Sequence, residues 1–206
     1  MEIIKAERLD DPSFCSSLSK LVMAGSVICF PTDTCYGLGT NALNDQAVYN
    51  IYLIKGRDLS KPLPVIVRDI GVAERFAVID KKAKLLYETF PGISLVLPKK
   101  NIPDIVNPSR IMMRIPAHEQ LASLMRFMPI PLISTSANRA GDKNPYSVGD
   151  VVSSLEGKLP LIQFIIDGGR LEGESPSTIF DCIEGKIYRE GKHKAADVLE
   201  VYHGAD

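Results

Sequence analysis

Apolar positions along the chain follow two rhythms that alternate from one end to the other. Between Asp11 and Ala24, Phe14, Leu18, Leu21 and Val22 fall at helical spacing, and the pattern stops at Gly25. Val27-Ile28-Cys29-Phe30 follows, too short and too uniformly apolar for a helix, which predicts a buried strand. The same reading predicts helices over 46–55, 71–76, 81–89, 119–128 and 148–155. It predicts strands over 64–68, 94–97, 111–115, 132–135, 161–167, 177–181 and 186–189. Strands interleaved with helices in this way imply an α/β fold, a mixed sheet with helices packed on it. No repeat, low-complexity tract or long linker divides the 206 residues, so one domain over 1–206 is expected.

Polar groups gather in the turns after these strands, where a rigid sheet can present them to a ligand. Directly after Phe30 comes Pro31-Thr32-Asp33-Thr34-Cys35-Tyr36-Gly37-Leu38-Gly39. This is either a Pro-initiated turn whose side chains bond their own backbone or one wall of a site. Lys55, Arg57 and Lys61 follow the 46–55 helix, and either complement its dipole as a solvated end or bind an anion. In the 111–115 strand, Met113 and Ile115 share one face, leaving Arg114 on the other beside Met112, where a guanidinium needs an anionic partner. Ser134-Thr135-Ser136-Ala137-Asn138 and Ser175-Pro176-Ser177-Thr178 are hydroxyl-rich ends that either cap the next turn or donate to a ligand. Taken together, cationic and hydroxyl segments suit an anionic, multidentate ligand, phosphate above all.

Bulk properties narrow the classes. A 45% apolar and 24% charged composition is that of an ordinary globular protein, and a net charge of −1 argues against whole-molecule attraction to nucleic acid or lipid. Cys15, Cys29, Cys35 and Cys182 have neither metal-ligand spacing nor disulfide-scaffold density, so reduced thiols and a cytoplasmic location are expected. The N-terminus lacks a signal-peptide pattern, and no apolar run reaches membrane-spanning length. Neither GxxxxGK[ST] nor GxGxxG occurs, and Gly168-Gly169 reads as a plain turn. His118 follows a Pro-Ala turn, while His193 and His203 fall in a polar tail, so no nucleophilic triad is expected and no protein-held metal.

Read in order, these segments resemble the YrdC/TsaC family. The resemblance rests on Pro-Thr-Asp-Thr-x-Tyr-Gly-Leu-Gly, Lys-x-Arg with Lys-Pro-Leu after it, Pro-Gly before Ser94-Leu95-Val96-Leu97, Arg-x-Pro at Arg114, Ser-Ala-Asn at 136–138, and Asp-Gly-Gly followed by Ser-Thr. It runs from about residue 10 to 192. Members similar to this chain are L-threonylcarbamoyladenylate synthases, which join L-threonine, bicarbonate and ATP into threonylcarbamoyl-AMP and pyrophosphate. That is the first stage of the threonylcarbamoyladenosine (t6A) modification beside the anticodon of tRNA. The fold implied is a twisted open mixed sheet with helices packed around it and a concave basic cavity.

The resemblance implies roles for particular residues. Thr34, Arg114, Ser134 and Ser177 match positions that hold L-threonine. Lys55, Arg57, Lys61, Ser136, Asn138, Asn144 and Arg189 match nucleotide positions, with Lys55 and Arg57 as catalytic cations and Arg189 in an Arg-x-Gly tail that closes over ATP. Mg²⁺ is expected on the triphosphate, held mainly by phosphate oxygens and water. A downstream threonylcarbamoyl-transferase complex is the implied partner, and tRNA a further one; no membrane is implied.

Some positions depart from the pattern. Pro91-Gly92-Ile93-Ser94 keeps a hydroxyl but loses a proline, Arg110 replaces a small hydroxyl residue, and the acidic Glu172-Gly173-Glu174 precedes Ser175 to Thr178. The chain ends at Asp206, which reads as the single-domain form. Two other classes fit less well: a non-catalytic RNA-binding module of the same fold, weakened by the near-neutral charge, and the carbamoyl-adenylate-forming domain of hydrogenase maturation proteins, whose zinc-finger segments need a paired Cys-x-x-Cys that this sequence lacks. Retention of Lys55, Arg57, Ser136 and Asn138 favours the catalytic side.

Overall fold

The structure, a computed structural model, describes residues 1–172 and 175–204. In chain order its elements are β1 (Glu2–Lys5), a 3-10 turn over Ala6–Asp10, α1 (Pro12–Met23), β2 (Ile28–Phe30), β3 (Gly37–Gly39), α2 (Asp45–Lys55), β4 (Val65–Ile66) and α3 (Ile70–Phe76). They continue with α4 (Lys81–Thr89), β5 (Ser94–Pro98), β6 (Arg110–Arg114), α5 (Glu119–Met125), β7 (Leu132–Ile133), β8 (Thr135–Ser136) and α6 (Val148–Ser154). A 3-10 turn over Leu159–Leu161 leads to β9 (Phe164–Asp167), β10 (Ile179–Asp181), β11 (Lys186–Arg189) and α7 (Ala195–Gly204).

The helices begin where the sequence supplies an acceptor for their unpaired N–H groups. Asp11, Asn44, Asp69, Asp80 and Ser147 each accept a hydrogen bond from the first turn of α1, α2, α3, α4 and α6. Gly56 stops α2 in the left-handed conformation at φ 57, which turns the chain sharply between Lys55 and Arg57.

The α/β class agrees with the sequence reading, but the strands divide between two mixed sheets. One sheet has the order β1-β9-β2-β3-β8 and the other β11-β10-β5-β6-β4-β7. The expected strand over 132–135 is two strands: the chain leaves the six-stranded sheet after Ile133, crosses at Ser134 and enters the five-stranded sheet at Thr135. Ser134 is therefore placed at the seam, its N–H donating to the Pro64 carbonyl at 3.0 Å.

Three elements lie outside the pattern read from the sequence: β1, β3 and α7. β1 and β3 are short, and the Gly-Leu-Gly of β3 carries one apolar side chain, so neither shows a period. The expected polar tail is the helix α7, which packs against α4, with Val198 fully buried and Tyr202 on the Phe180 ring at 4.6 Å. Two apolar clusters hold the fold: a large one beneath both sheets and α2, α3 and α4, and a smaller one where α1 and α5 cover Ile28, Phe30, Ile66 and Leu132. Phe30 and Tyr36 bracket the polar turn and are both completely buried, so each contributes about 1.5–3 kcal/mol to keeping its ends in place.

Candidate functional site

Between the two sheets lies a cavity of about 430 Å³. Its floor is one transverse row of the six-stranded sheet. Arg114 on β6 is in register with Ser94 on β5 and with Ile66 on β4, Ser94 with Ile179 on β10, and Ile179 with Arg189 on β11. All five residues line the cavity. Four inter-strand steps make the row about 19 Å long, with Arg189 at one end, Ser94 in the middle and Arg114 one strand from the other end. The opposite wall comes from the five-stranded sheet, where Gly37 pairs with Ser136 and the Thr32 to Cys35 turn closes the edge.

The structure brings Thr34, Arg57, Arg114, Ser134, Ser136, Asn144, Ser177 and Arg189 to this one cavity. Lys55 and Asn138 are not on its surface. Lys55 is buried, and its ammonium donates to the carbonyl of Ser136, to the Asn138 carbonyl at 2.9 Å and to Asn138 Oδ1 at 3.2 Å. Asn138 Nδ2 in turn donates to the Asp142 and Lys143 carbonyls at 2.7 and 3.0 Å. An ammonium has three N–H groups, so this knot consumes all of them and fixes the backbone that presents Ser136. Burial, with a lesser contribution from the Arg57 charge, pushes the Lys55 pKa down to about 8. Lys61 is exposed and off the lining; its carbonyl accepts from Arg57 Nε at 3.2 Å.

Arg114 has the anionic partner that its strand position demands. Asp33 from the Thr-Asp-Thr turn pairs with its Nη2, and the Gly92 carbonyl accepts from its Nε at 2.7 Å. On the same stretch, Thr32 Oγ1 donates to the Cys35 carbonyl at 2.7 Å and accepts from the Thr34 and Cys35 N–H groups at 3.1 and 3.2 Å. The two readings of this turn thus coexist: Thr32 holds the turn together and lies 3.0 Å from the Thr34 hydroxyl, and both threonines line the cavity. Burial raises the Cys35 thiol pKa, which leaves it a neutral lining group.

Hydroxyls and tail close the far side. Ser94 Oγ and Ser177 Oγ are 3.0 Å apart, and Arg189 Nη2 donates to Ser177 carbonyl and hydroxyl oxygens at 2.8 and 3.2 Å. Burial, then the charge of Arg114, lowers the Arg189 pKa. Thr178, fully buried, accepts from the N–H groups of Gly191 and His193 at 3.0 and 2.9 Å. A Cβ at position 191 would lie 1.9 Å from the Pro176 carbonyl oxygen, so only glycine lets the tail lie against this segment. Gly173 and Glu174 of the acidic run lie outside the described residues.

Several contributors have no role assigned from the sequence. Tyr36 donates to the Gly169 carbonyl at 2.7 Å and accepts from Gly168 N–H at 2.9 Å, so the plain Gly-Gly turn is a brace for the Thr-Asp-Thr turn. Burial, chiefly, raises the Tyr36 pKa to about 12, keeping it a donor. Met112 lines the cavity on the face that alternation shares with Arg114, while Ile179 and Tyr146 reach it through strand register and the 144–146 loop. Arg110 points elsewhere, to Asp181, Glu184 and the Tyr188 hydroxyl at 3.0, 3.1 and 3.3 Å, beside an adjoining cavity of about 390 Å³ that shares Pro62, Pro64 and Met112.

The chain and its fold have counterparts among known proteins. The model of the Sua5/YciO/YrdC family, described as "Telomere recombination", matches residues 20–191. A Methanocaldococcus jannaschii protein whose provisional name is threonylcarbamoyl-AMP synthase is 37% identical over 179 residues, 84% of each chain. The Bacillus subtilis protein named threonylcarbamoyl-AMP synthase is 35% identical over 184 residues, 85% of this chain and 51% of its own. Among solved structures, Pyrococcus abyssi Sua5 complexed with L-threonine superposes with a TM-score of 0.84 at 31% identity, covering 93% of this chain and 58% of that one. The chain thus spans little more than half the length of the last two. Extent of the match, identity and superposition agree: the chain belongs to the Sua5/YciO/YrdC family.

Proposed function

We propose that the protein is an L-threonylcarbamoyladenylate synthase, a nucleotidyltransferase that forms threonylcarbamoyl-AMP and pyrophosphate from L-threonine, bicarbonate and ATP. One observation carries the reading: Thr34, Arg114, Ser134 and Ser177 share a single cavity with Arg57, Ser136, Asn144 and Arg189. An amino-acid site and a triphosphate site in one space are what the reaction needs. The names of the relatives agree.

In this reading the amino group of threonine and bicarbonate condense with loss of water to a carbamate. A carbamate oxygen then attacks the α-phosphorus of ATP, and the bond to the bridging oxygen breaks as pyrophosphate leaves with its electron pair. The carbamate is a weak nucleophile, so rate comes from holding it in line and from neutralising charge on the leaving pyrophosphate. Arg114 holds the threonine carboxylate, while Arg57, Arg189 and Ser136 face the phosphates. Lys55 serves through the knot that fixes Ser136. The lining offers hydroxyls, amides and guanidiniums, which fits a magnesium ion carried by the triphosphate with phosphate and water ligands. The product is an activated acyl group, handed to a downstream transferase acting on tRNA.

Purified protein given threonine, bicarbonate and Mg-ATP is expected to release pyrophosphate and accumulate threonylcarbamoyl-AMP. Serine lacks only the methyl, so it should react about 10- to 200-fold less efficiently. Pyrophosphate release indifferent to threonine would overturn the reading.

A further inference from the structure

The Thr-Asp-Thr turn carries a carboxylate to which neither the resemblance nor the proposed reaction gives a role. Asp33 has a side chain only 9% exposed. Its Oδ2 accepts from Arg114 Nη2, and its Oδ1 is buried with no hydrogen-bond partner among the described residues. A buried carboxylate is unfavourable unless a cation holds it, and an unmet oxygen adds to the cost. Thr32 already closes the turn, so chain reversal does not require this charge.

What Asp33 does is visible on Arg114. The guanidinium is tethered at two points, Nη2 to Asp33 and Nε to the Gly92 carbonyl. Gly92 has φ 79, and a Cβ there would lie 2.9 Å from Arg114 Nη2, so the second tether depends on glycine. Two of five N–H groups are spent in this way. Arg114 still lines the cavity, and its Nη1 makes no hydrogen bond among the described residues. A planar fork clamped along one side has its other side fixed in direction.

We propose that Asp33 is a positioning residue that, with the Gly92 carbonyl, sets the plane of the Arg114 guanidinium so that its free edge receives the α-carboxylate of the amino-acid substrate. This rests on the reading of the cavity as a threonine site. The rival account makes Asp33 a placeholder, filling the anion position until substrate displaces it. The two predict opposite signs. Removing a positioning group weakens threonine binding, whereas removing a competitor strengthens it.

The test is calorimetric titration of L-threonine, and separately of a non-hydrolysable ATP analogue, into wild type and Asp33→Asn, which keeps size and loses charge. The threonine dissociation constant is expected to rise about tenfold or more, with ATP-analogue affinity within about twofold of wild type. Threonine binding unchanged or tighter in Asp33→Asn overturns the inference, and so does an equal loss for both ligands, the mark of general damage. If Asp33→Asn does not fold, Gly92→Ala disturbs the other tether and should show the same selective loss; retained threonine affinity there is equally fatal. A wild type that binds the ATP analogue but no threonine overturns the reading of the cavity and this inference together.

Discussion

Two cations of the cavity are held differently. Arg114 is balanced by the buried carboxylate of Asp33 and clamped by a backbone carbonyl. Arg57 is tied only to the carbonyls of Lys61 and Pro62, at 3.2 and 3.0 Å, and no carboxylate pairs with it among the described residues. Lys55, two residues before it, spends all its donors on Ser136 and Asn138. The Arg114 site is neutral overall but fixed in direction, and the Arg57 site keeps positive charge in excess. An amino-acid carboxylate carries a single charge and needs orientation; a triphosphate carries several and needs uncompensated cations. The fold meets these demands from different elements, a sheet strand for Arg114 and the loop after α2 for Arg57.

The largest expected effect breaks the ordered site. Arg114→Ala leaves Asp33 buried without its cation, so threonine-dependent pyrophosphate release should fall about 100-fold or more while ATP-analogue affinity stays near wild type. Equal losses for both substrates would erase the distinction between the two arginines. Arg57→Ala removes charge-assisted contacts worth about 1.5–3 kcal/mol, or about 10- to 160-fold, and the loss should fall on ATP affinity in a titration, not on threonine. Threonine weakening more than ATP would reverse the assignment.

The smallest effect sharpens the comparison through pH. Lys55 titrates at about 8 rather than 10.5, and its knot with Ser136 and Asn138 is complete only while it is charged. As pH rises through about 8, one acceptor oxygen loses its donor, so ATP affinity should drop several-fold between about pH 7 and 9, with threonine affinity little changed. The sign for stability is the opposite. Between about 8 and 10.5 the unfolded chain binds more protons at this lysine, so through this group the folded state gains stability as pH rises. A fall in ATP affinity across that window without a fall in melting temperature identifies the knot; a flat affinity would refute it.

Local order was largely legible. The α4 range of Lys81–Thr89 and the β11 range of Lys186–Arg189 are as the pattern predicts, because period and caps are properties of neighbouring residues. Arg114 is the sharpest case: alternation put it opposite Met113 and demanded an anion, yet the choice of Asp33, 81 residues away, waited for the fold. Lys55 shows the converse. Its place beside Arg57 suggested a shared role, but the left-handed turn at Gly56 sends one side chain inward and the other to the cavity. The division into two sheets, the crossing at Ser134 and the helix α7 were hidden for a related reason: two-residue strands and weakly periodic ends are stabilised by partners remote in the chain.

Sequence by itself determined the α/β class, most helices and strands, and the set of cations and hydroxyls on which a polyanion site could draw. Tertiary structure alone decided which of them face one another. Strand register aligned Arg189, Ile179, Ser94, Arg114 and Ile66 in a single floor, and burial took Lys55 off the cavity surface to become the support of Ser136 on the opposite wall. The physical reason is that period and capping act over a few residues, whereas register and the pairing of buried charges are settled between segments that meet only when the core closes.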